Sequence, residues 1–289
     1  MNYEALVIGG GPAGSTTALA LARAGWSVAI VEKAVFPRRK VCGEYISATT
    51  WPVLRELGIA GDLAPHAGPA VRRVGFFVGD STVEAPMPPS GGEWGRAIGR
   101  DLLDTALLDR AREAGAVVLQ PWTVGEVRSD TGGFAISMHD AARDASHGGR
   151  ARIVIDAHGS WERDVTTTAA RAPAKHSDLL GFKARFLGAR LATGLMPLVL
   201  FPGGYGGMVH SDSGRVSFSC CIRHDALARG GINDFENLRK MLPRRFCTSP
   251  SNQPLGNRIE EGNEARTNGT QYAISNGFHC HLSTFRIGE

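Results

Sequence analysis

Residues 3–32 read YEALVIGGGPAGSTTALALARAGWSVAIVE. The apolar run Ala5–Ile8 has the length and flanks of a short buried strand. Gly9, Gly11 and Gly14 follow at G-x-G-x-x-G spacing. The first allows a tight turn, the second lets a pyrophosphate approach the backbone, and the third lets a helix press against the strand. A helix is predicted over Pro12–Ala24, with its free N–H groups and dipole facing the phosphates. Pro12 costs little there, because first-turn amides lack intrahelical partners anyway. Gly25 ends the helix, and Ala18 and Ala22 fall on the face that must meet a sheet. Ser27–Val31 is the next strand. Glu32 stands at its end, where a carboxylate can accept both ribose hydroxyls. Strand, loop, helix, strand and acid together point to a dinucleotide site rather than a bare βαβ turn. An acid at Glu32 favours FAD or NAD over NADP, and the motif does not choose between those two.

Length and composition bound the rest. The chain has 289 residues, 43% of them hydrophobic, and a net charge of +4, which suits one large or two modest globular domains. Its arginines are scattered, with no basic block interleaved with aromatics, so nucleic acid is not an expected partner. No apolar run reaches membrane-spanning length, and the first strand begins almost at Met1, so a cytoplasmic protein without an integral membrane segment is expected. Cys42, Cys220, Cys221, Cys247 and Cys280 form no C-x-x-C pair. A reducing compartment without structural disulfides or zinc is the reading. The histidines are dispersed. His158, His210 and His224 are read as structural or surface residues, and no metal site is expected.

After Glu32, Pro37 and the basic trio Arg38, Arg39 and Lys40 mark an exposed loop on the ligand side, one member of which can face a phosphate. Ser47 is expected to open a helix ending at Gly58. Val71–Val78 and Ser81–Met87 read as strands outside the nucleotide sheet, joined by Gly79-Asp80. From Arg100 the residues Leu102, Leu103, Ala106, Leu107 and Ala111 recur at helical steps up to Gly115. Ala116–Leu119 returns to the sheet, Val124–Arg128 and Gly133–His139 form a meander, and Ala141–Arg150 reads as a polar loop. Ile153–Ile155 is another buried strand, with His158-Gly159 beyond it. Leu180–Phe186, Pro197–Phe201, Gly206–Ser211 and Arg215–Ile222 read as an antiparallel sheet. A short helix is predicted over Phe235–Leu242. From about Cys247 no helix or strand period survives.

The glycine loop with Glu32, the segment FPRRKVCGEYIS (Phe36–Ser47), Arg100 opening a helix before a Gly-Ala strand, and DAHGSW (Asp156–Trp161) resemble one family. It is the FAD-dependent oxidoreductases that group aromatic-ring hydroxylases with geranylgeranyl reductase-type enzymes. GFKARF and LFPGGYGG are similar to segments of its reductase-like branch. The resemblance runs from Met1 to about Asp225. It implies an α/β fold in which a Rossmann-like FAD-binding domain (1–70 and 96–165) is interrupted by an antiparallel β substrate domain (71–95 and 166–246), with 247–289 as an irregular tail. Cys42-Gly43 would lie near the flavin and Arg100 near the ribityl-pyrophosphate. Gly159 is kept, while His158 stands where the family carries Asp. The expected cofactor-binding set is Gly9, Gly11, Pro12, Ala13, Gly14, Glu32, Lys33, Arg39, Cys42, Gly43, Arg100 and Gly159.

The expected function is an FAD-dependent oxidoreductase, a reductase or a monooxygenase, acting on a small hydrophobic organic substrate. NAD(P)H is a candidate electron donor. Cys42 is the one catalytic candidate, a thiol near the flavin ring, against a small buried residue that only packs. Two alternatives stay open: an NAD-dependent dehydrogenase, and a truncated, catalytically incomplete nucleotide-binding remnant. The second is suggested by the unrecognisable C-terminus. Oligomeric state is not legible.

Overall fold

The computed structural model describes residues 1–159, 178–186, 189–229 and 281–284. Its strands are β1 (Asn2–Ile8), β2 (Val28–Val31), β3 (Tyr45–Ile46), β4 (Arg73–Val78), β5 (Ser81–Pro86), β6 (Arg96–Ala97), β7 (Val117–Leu119), β8 (Trp122–Asp130), β9 (Gly133–Asp140), β10 (Ala145–Asp156), β11 (Leu179–Phe186), β12 (Leu195–Phe201), β13 (Gly204–His210), β14 (Val216–Arg223) and β15 (His281–Thr284). The helices are α1 (Pro12–Arg23), α2 (Thr50–Leu57), α3 (Ala60–Leu63), α4 (Arg100–Glu113) and α5 (His224–Arg229). The chain divides into two compact units. One comprises Met1–Lys40, Leu54–Leu63 and Arg100–Pro173; the other comprises Val41–Val53, Ala64–Gly99 and Ala174–Glu289.

The first unit is built on a six-stranded sheet of order β7-β2-β1-β10-β9-β8. β7, β2, β1 and β10 run parallel, and β9 and β8 are antiparallel additions. Side chains alternate across β1, as strand geometry demands. Ala5 and Val7 enter the cluster with Ala18 and Leu19 of α1 and Leu108 and Ala111 of α4. Leu6 and Ile8 enter another, with Trp122, Ile136 and Met138. Each fully buried Val, Leu, Ile or Met of this set contributes about 1.5–3 kcal/mol, so both faces of β1 hold it in register.

β10 overturns one sequence expectation. Residues 145–150, read as part of a polar loop, belong to this strand, and the turn shrinks to 141–144. Ala145–Ala151 pair antiparallel with β9, while Arg150–Asp156 pair parallel with β1. Edge exposure on alternate residues made the segment look like loop.

The second unit carries a seven-stranded sheet, β15-β11-β14-β13-β12-β4-β5. β11, β14, β13 and β12 pair antiparallel, as expected, and β4 joins β12 in parallel. Its core face buries Phe77, Leu180, Phe182, Val199, Met208, Phe218 and Ile222. β3 and β6 form a small separate pair. Three further expectations change. His281–Thr284, inside the segment read as irregular, pairs with β11 as a strand. Residues 41–53, 64–70 and 96–99 group with this unit rather than with the nucleotide fold. The helix foreseen at Ser47 starts at Thr50, with Ser47 Oγ near the Thr49 and Thr50 hydroxyls. The predicted helix at Phe235–Leu242, Cys247, Cys280 and the rest of the tail lie outside the described residues.

Candidate cofactor site

The three motif glycines divide their labour as the spacing implies. Gly9 has φ 100°, and a Cβ there would stand 2.6 Å from the Ala157 carbonyl oxygen. A Cβ on Gly14 would stand 1.9 Å from the Gly9 carbonyl oxygen. The protein's own backbone therefore excludes side chains at both positions. A Cβ on Gly11 would instead meet, among the described residues, only Arg38 Nη2, at 3.6 Å. No described backbone atom excludes a side chain at this position. Gly11 caps α1, which has no side-chain cap and Pro12 in its first turn, so its leading amides remain available. Ala13 follows, exposed, and Gly159, with φ 89°, lies just past β10.

Glu32 is 5% exposed. Its two oxygens each accept a backbone N–H, from Gly10 at 2.7 Å and from Ala34 at 2.9 Å. The acid thus ties the glycine loop to the end of β2, and each oxygen keeps acceptor capacity for a ribose hydroxyl. Lys33 beside it is exposed.

Arg38 is the basic side chain that the structure places at this loop. Its Nε lies 3.7 Å from Glu32 Oε1 and its Nη1 3.3 Å from Asp104 Oδ2. The guanidinium sits 4.5 Å above the Phe36 ring. Nε and Nη1 are buried and hydrogen-bond to no described group. Arg39, nominated from the sequence, is half exposed and 4.0 Å from Asp101. Arg100 donates Nε to Asp104 Oδ1 at 2.6 Å and Nη2 to Oδ2 at 2.8 Å. Asp104, fully buried on α4, went unnoticed in the sequence, although an acid four residues after an arginine on a helix is a readable pair. At the end of β10, His158 Nδ1 contacts Asp156 Oδ1.

Cys42 and Gly43 group with the second unit, and the other nominated residues with the first. Cys42 is partly buried, and its Sγ accepts the Glu44 N–H at 3.4 Å. A Cβ on Gly43 would meet Ser219 Oγ at 3.5 Å. Glu44 is buried at φ 61°. Its Oε1 contacts Lys183 Nζ and, at 2.5 Å, Arg185 Nη2, and its Oε2 accepts the Ser211 hydroxyl at 3.0 Å. Burial pulls the Lys183 ammonium below the ordinary lysine range, against the opposing pull of Glu44. Ser211 Oγ also lies 2.9 Å from Asp212 Oδ1, and Asp212 accepts the Gly99 N–H at 3.2 Å and contacts Arg215. Tyr205 is half exposed, its phenol pushed up by burial and then by Cys221. No group of three or more potential metal ligands occurs among the described residues.

The family described as FAD binding domain matches residues 2–211. The chain belongs to that family. The site of this FAD-binding chain suits its ligand on three counts: Gly11 leaves room for a phosphate, Glu32 retains acceptors for a ribose, and Arg38 has two buried N–H groups to offer. Among curated proteins, the menaquinone reductase of Mycobacterium tuberculosis is 33% identical over 155 residues, covering 54% of this chain and 38% of the relative. Digeranylgeranylglycerophospholipid reductase 1 of Methanopyrus kandleri is 34% identical over 179 residues, covering 62% of this chain and 45% of the relative. The matched part of the FAD-binding chain therefore spans less than half the length of either. Among solved structures, the myxobacterial chondrochloren halogenase CndH, a FAD-dependent halogenase, superposes with a TM-score of 0.71 at 20% identity. That match covers 83% of this chain and 57% of the halogenase. At that identity the likeness is one of fold, a mixed α/β architecture.

Proposed function

We propose that this chain is the FAD-holding part of an oxidoreductase that reduces a small hydrophobic organic substrate, with NAD(P)H as electron donor. The observation that carries the FAD assignment is Gly11, where, among the described residues, an added Cβ would meet only the Arg38 guanidinium within 4 Å. Bound flavin supplies hydride chemistry. The chain's own residues supply placement: α1's leading amides and Arg38 for the phosphates, and Glu32 for the ribose. Reduction is favoured over hydroxylation because the two curated relatives identical at 33% and 34% are both reductases. A hydrophobic substrate is favoured by the second unit's sheet. Val78, Leu200 and Tyr205 stand opposite one another on adjacent strands, and Phe76 opposes Val83. All five are exposed. Their face also carries Lys183, and Cys42 remains the catalytic candidate through its link to Glu44. A cytoplasmic location belongs to this reading; among the described residues no helix is long and apolar enough to cross a membrane.

Two measurements test it. Purified protein should bear flavin absorption bands or acquire them with added FAD; a colourless protein that takes up none overturns the reading. Incubation of the loaded protein with NADPH and a prenylated quinone should yield a product heavier by two hydrogens. A product heavier by one oxygen would reassign the reaction to hydroxylation.

A further inference from the structure

Arg38 is held in an unusual way. It sits between two buried carboxylates, 3.7 Å from Glu32 and 3.3 Å from Asp104, with no hydrogen bond from Nε or Nη1 to any described group. Buried N–H groups are normally satisfied, and here the charge is balanced while the donors are not. Asp104 meanwhile spends its best geometry on Arg100, which grips it with two parallel hydrogen bonds. Such a fork fixes orientation as well as supplying energy. Asp104 is therefore pinned, and Arg38 leans on it without being captured by it. The Phe36 ring supports the other side of the guanidinium.

We propose that Asp104 is a positioning residue for the cofactor's pyrophosphate. It keeps Arg38 poised beside Gly11 instead of letting it swing away from the phosphates. This rests on the FAD reading and adds a role for a residue that touches no ligand. Its physical signature is a sign. Judged by charge alone, a buried carboxylate near a pyrophosphate repels it, so deleting that charge should tighten binding. As a positioning residue, Asp104 should have the opposite effect, because its loss frees Arg38 to leave its place beside Gly11.

The experiment compares wild type, Asp104→Asn, Arg38→Gln and the double variant, titrated with FAD, ADP and adenosine. Asp104→Asn should weaken FAD and ADP by about 10- to 100-fold, the range of a charge-assisted hydrogen bond, and leave adenosine unchanged. Arg38→Gln should do the same. The double variant should be no weaker than Arg38→Gln alone, since coupled residues are not additive. Tighter or unchanged FAD binding by Asp104→Asn overturns the proposal, as does an equal loss for adenosine, which marks mere structural damage. If Asp104→Asn fails to fold, Arg38→Gln decides: equal affinity for FAD and ADP in that variant removes Arg38 from the site and Asp104's role with it. A wild type that binds neither FAD nor ADP removes the FAD reading itself, an outcome distinct from all of these.

Discussion

The backbone N–H of Gly10 donates to Glu32 Oε2 at 2.7 Å, so the cofactor loop and the ribose acid are one hydrogen-bonded unit before any ligand arrives. Glu32→Ala should then do two things at once. It orphans the Gly10 and Ala34 amides, which costs about 1–3 kcal/mol for each buried group left unsatisfied, and it removes the ribose acceptor. Urea denaturation should show the stability loss and FAD titration a weaker complex. Unchanged stability would mean that water replaces the carboxylate at both amides.

The glycines of the loop should separate fold from function. Gly14→Ala forces a methyl against the Gly9 carbonyl oxygen and should destabilise the protein by about 1–3 kcal/mol, as overpacking does. At Gly11 an added Cβ meets, among the described residues, only the end of Arg38, so Gly11→Val should leave the melting temperature in place. Its FAD affinity should fall at least about tenfold, or 1.4 kcal/mol. Equal melting temperatures for both variants would contradict this division.

Glu44 is the keystone of the second unit's charged cluster. Glu44→Ala leaves Lys183 and Arg185 without that buried acid, and breaking such a pair costs about 3–5 kcal/mol. Glu44→Gln keeps the shape and an acceptor for Ser211, so its loss should be smaller. Denaturant midpoints of the two variants check the order.

Asp212 links stability to acid. Burial works against its ionised form, but the hydrogen bonds of Ser211 and Arg215 and the charges of Arg215 and Arg185 outweigh it, leaving the carboxyl below its ordinary 3.8. The unfolded chain therefore takes up the proton first. The stabilisation is complete above 3.8 and drains away as pH falls toward and through the lowered folded value. The stability gap between wild type and Asp212→Asn should be constant near neutrality and shrink below about pH 4, as read by chemical denaturation across pH. A gap that widens in acid would refute the assignment.

Much of the first unit was legible because its information is local. The glycine spacing, the helix steps from Arg100 and the strand before His158 all sit within short windows, and the structure puts an element at each. What escaped was long-range. Glu44 meets Lys183 across 139 positions and Ser211 across 167, and no spacing rule reaches so far. Arg38 and Arg39 are indistinguishable as letters; only the packing of Phe36 and Asp104 decides which of them turns inward. Residues 145–150 were misread because a strand exposed on one side at a sheet margin carries loop-like composition.

The packing of Gly9 against Ala157 and His158, with the parallel seam from Asn2–Arg150 to Ile8–Asp156, orders the protein's assembly in time. The β8–β9–β10 meander can close from neighbouring residues, whereas β1, which finds β2 nearby, must wait for its second partner, β10, some 148 positions later in the chain. Closure over such a span is slow compared with hairpin formation. The turn at Gly9 therefore acquires its final shape only once Ala157 and His158, 148 and 149 positions downstream, have been synthesised.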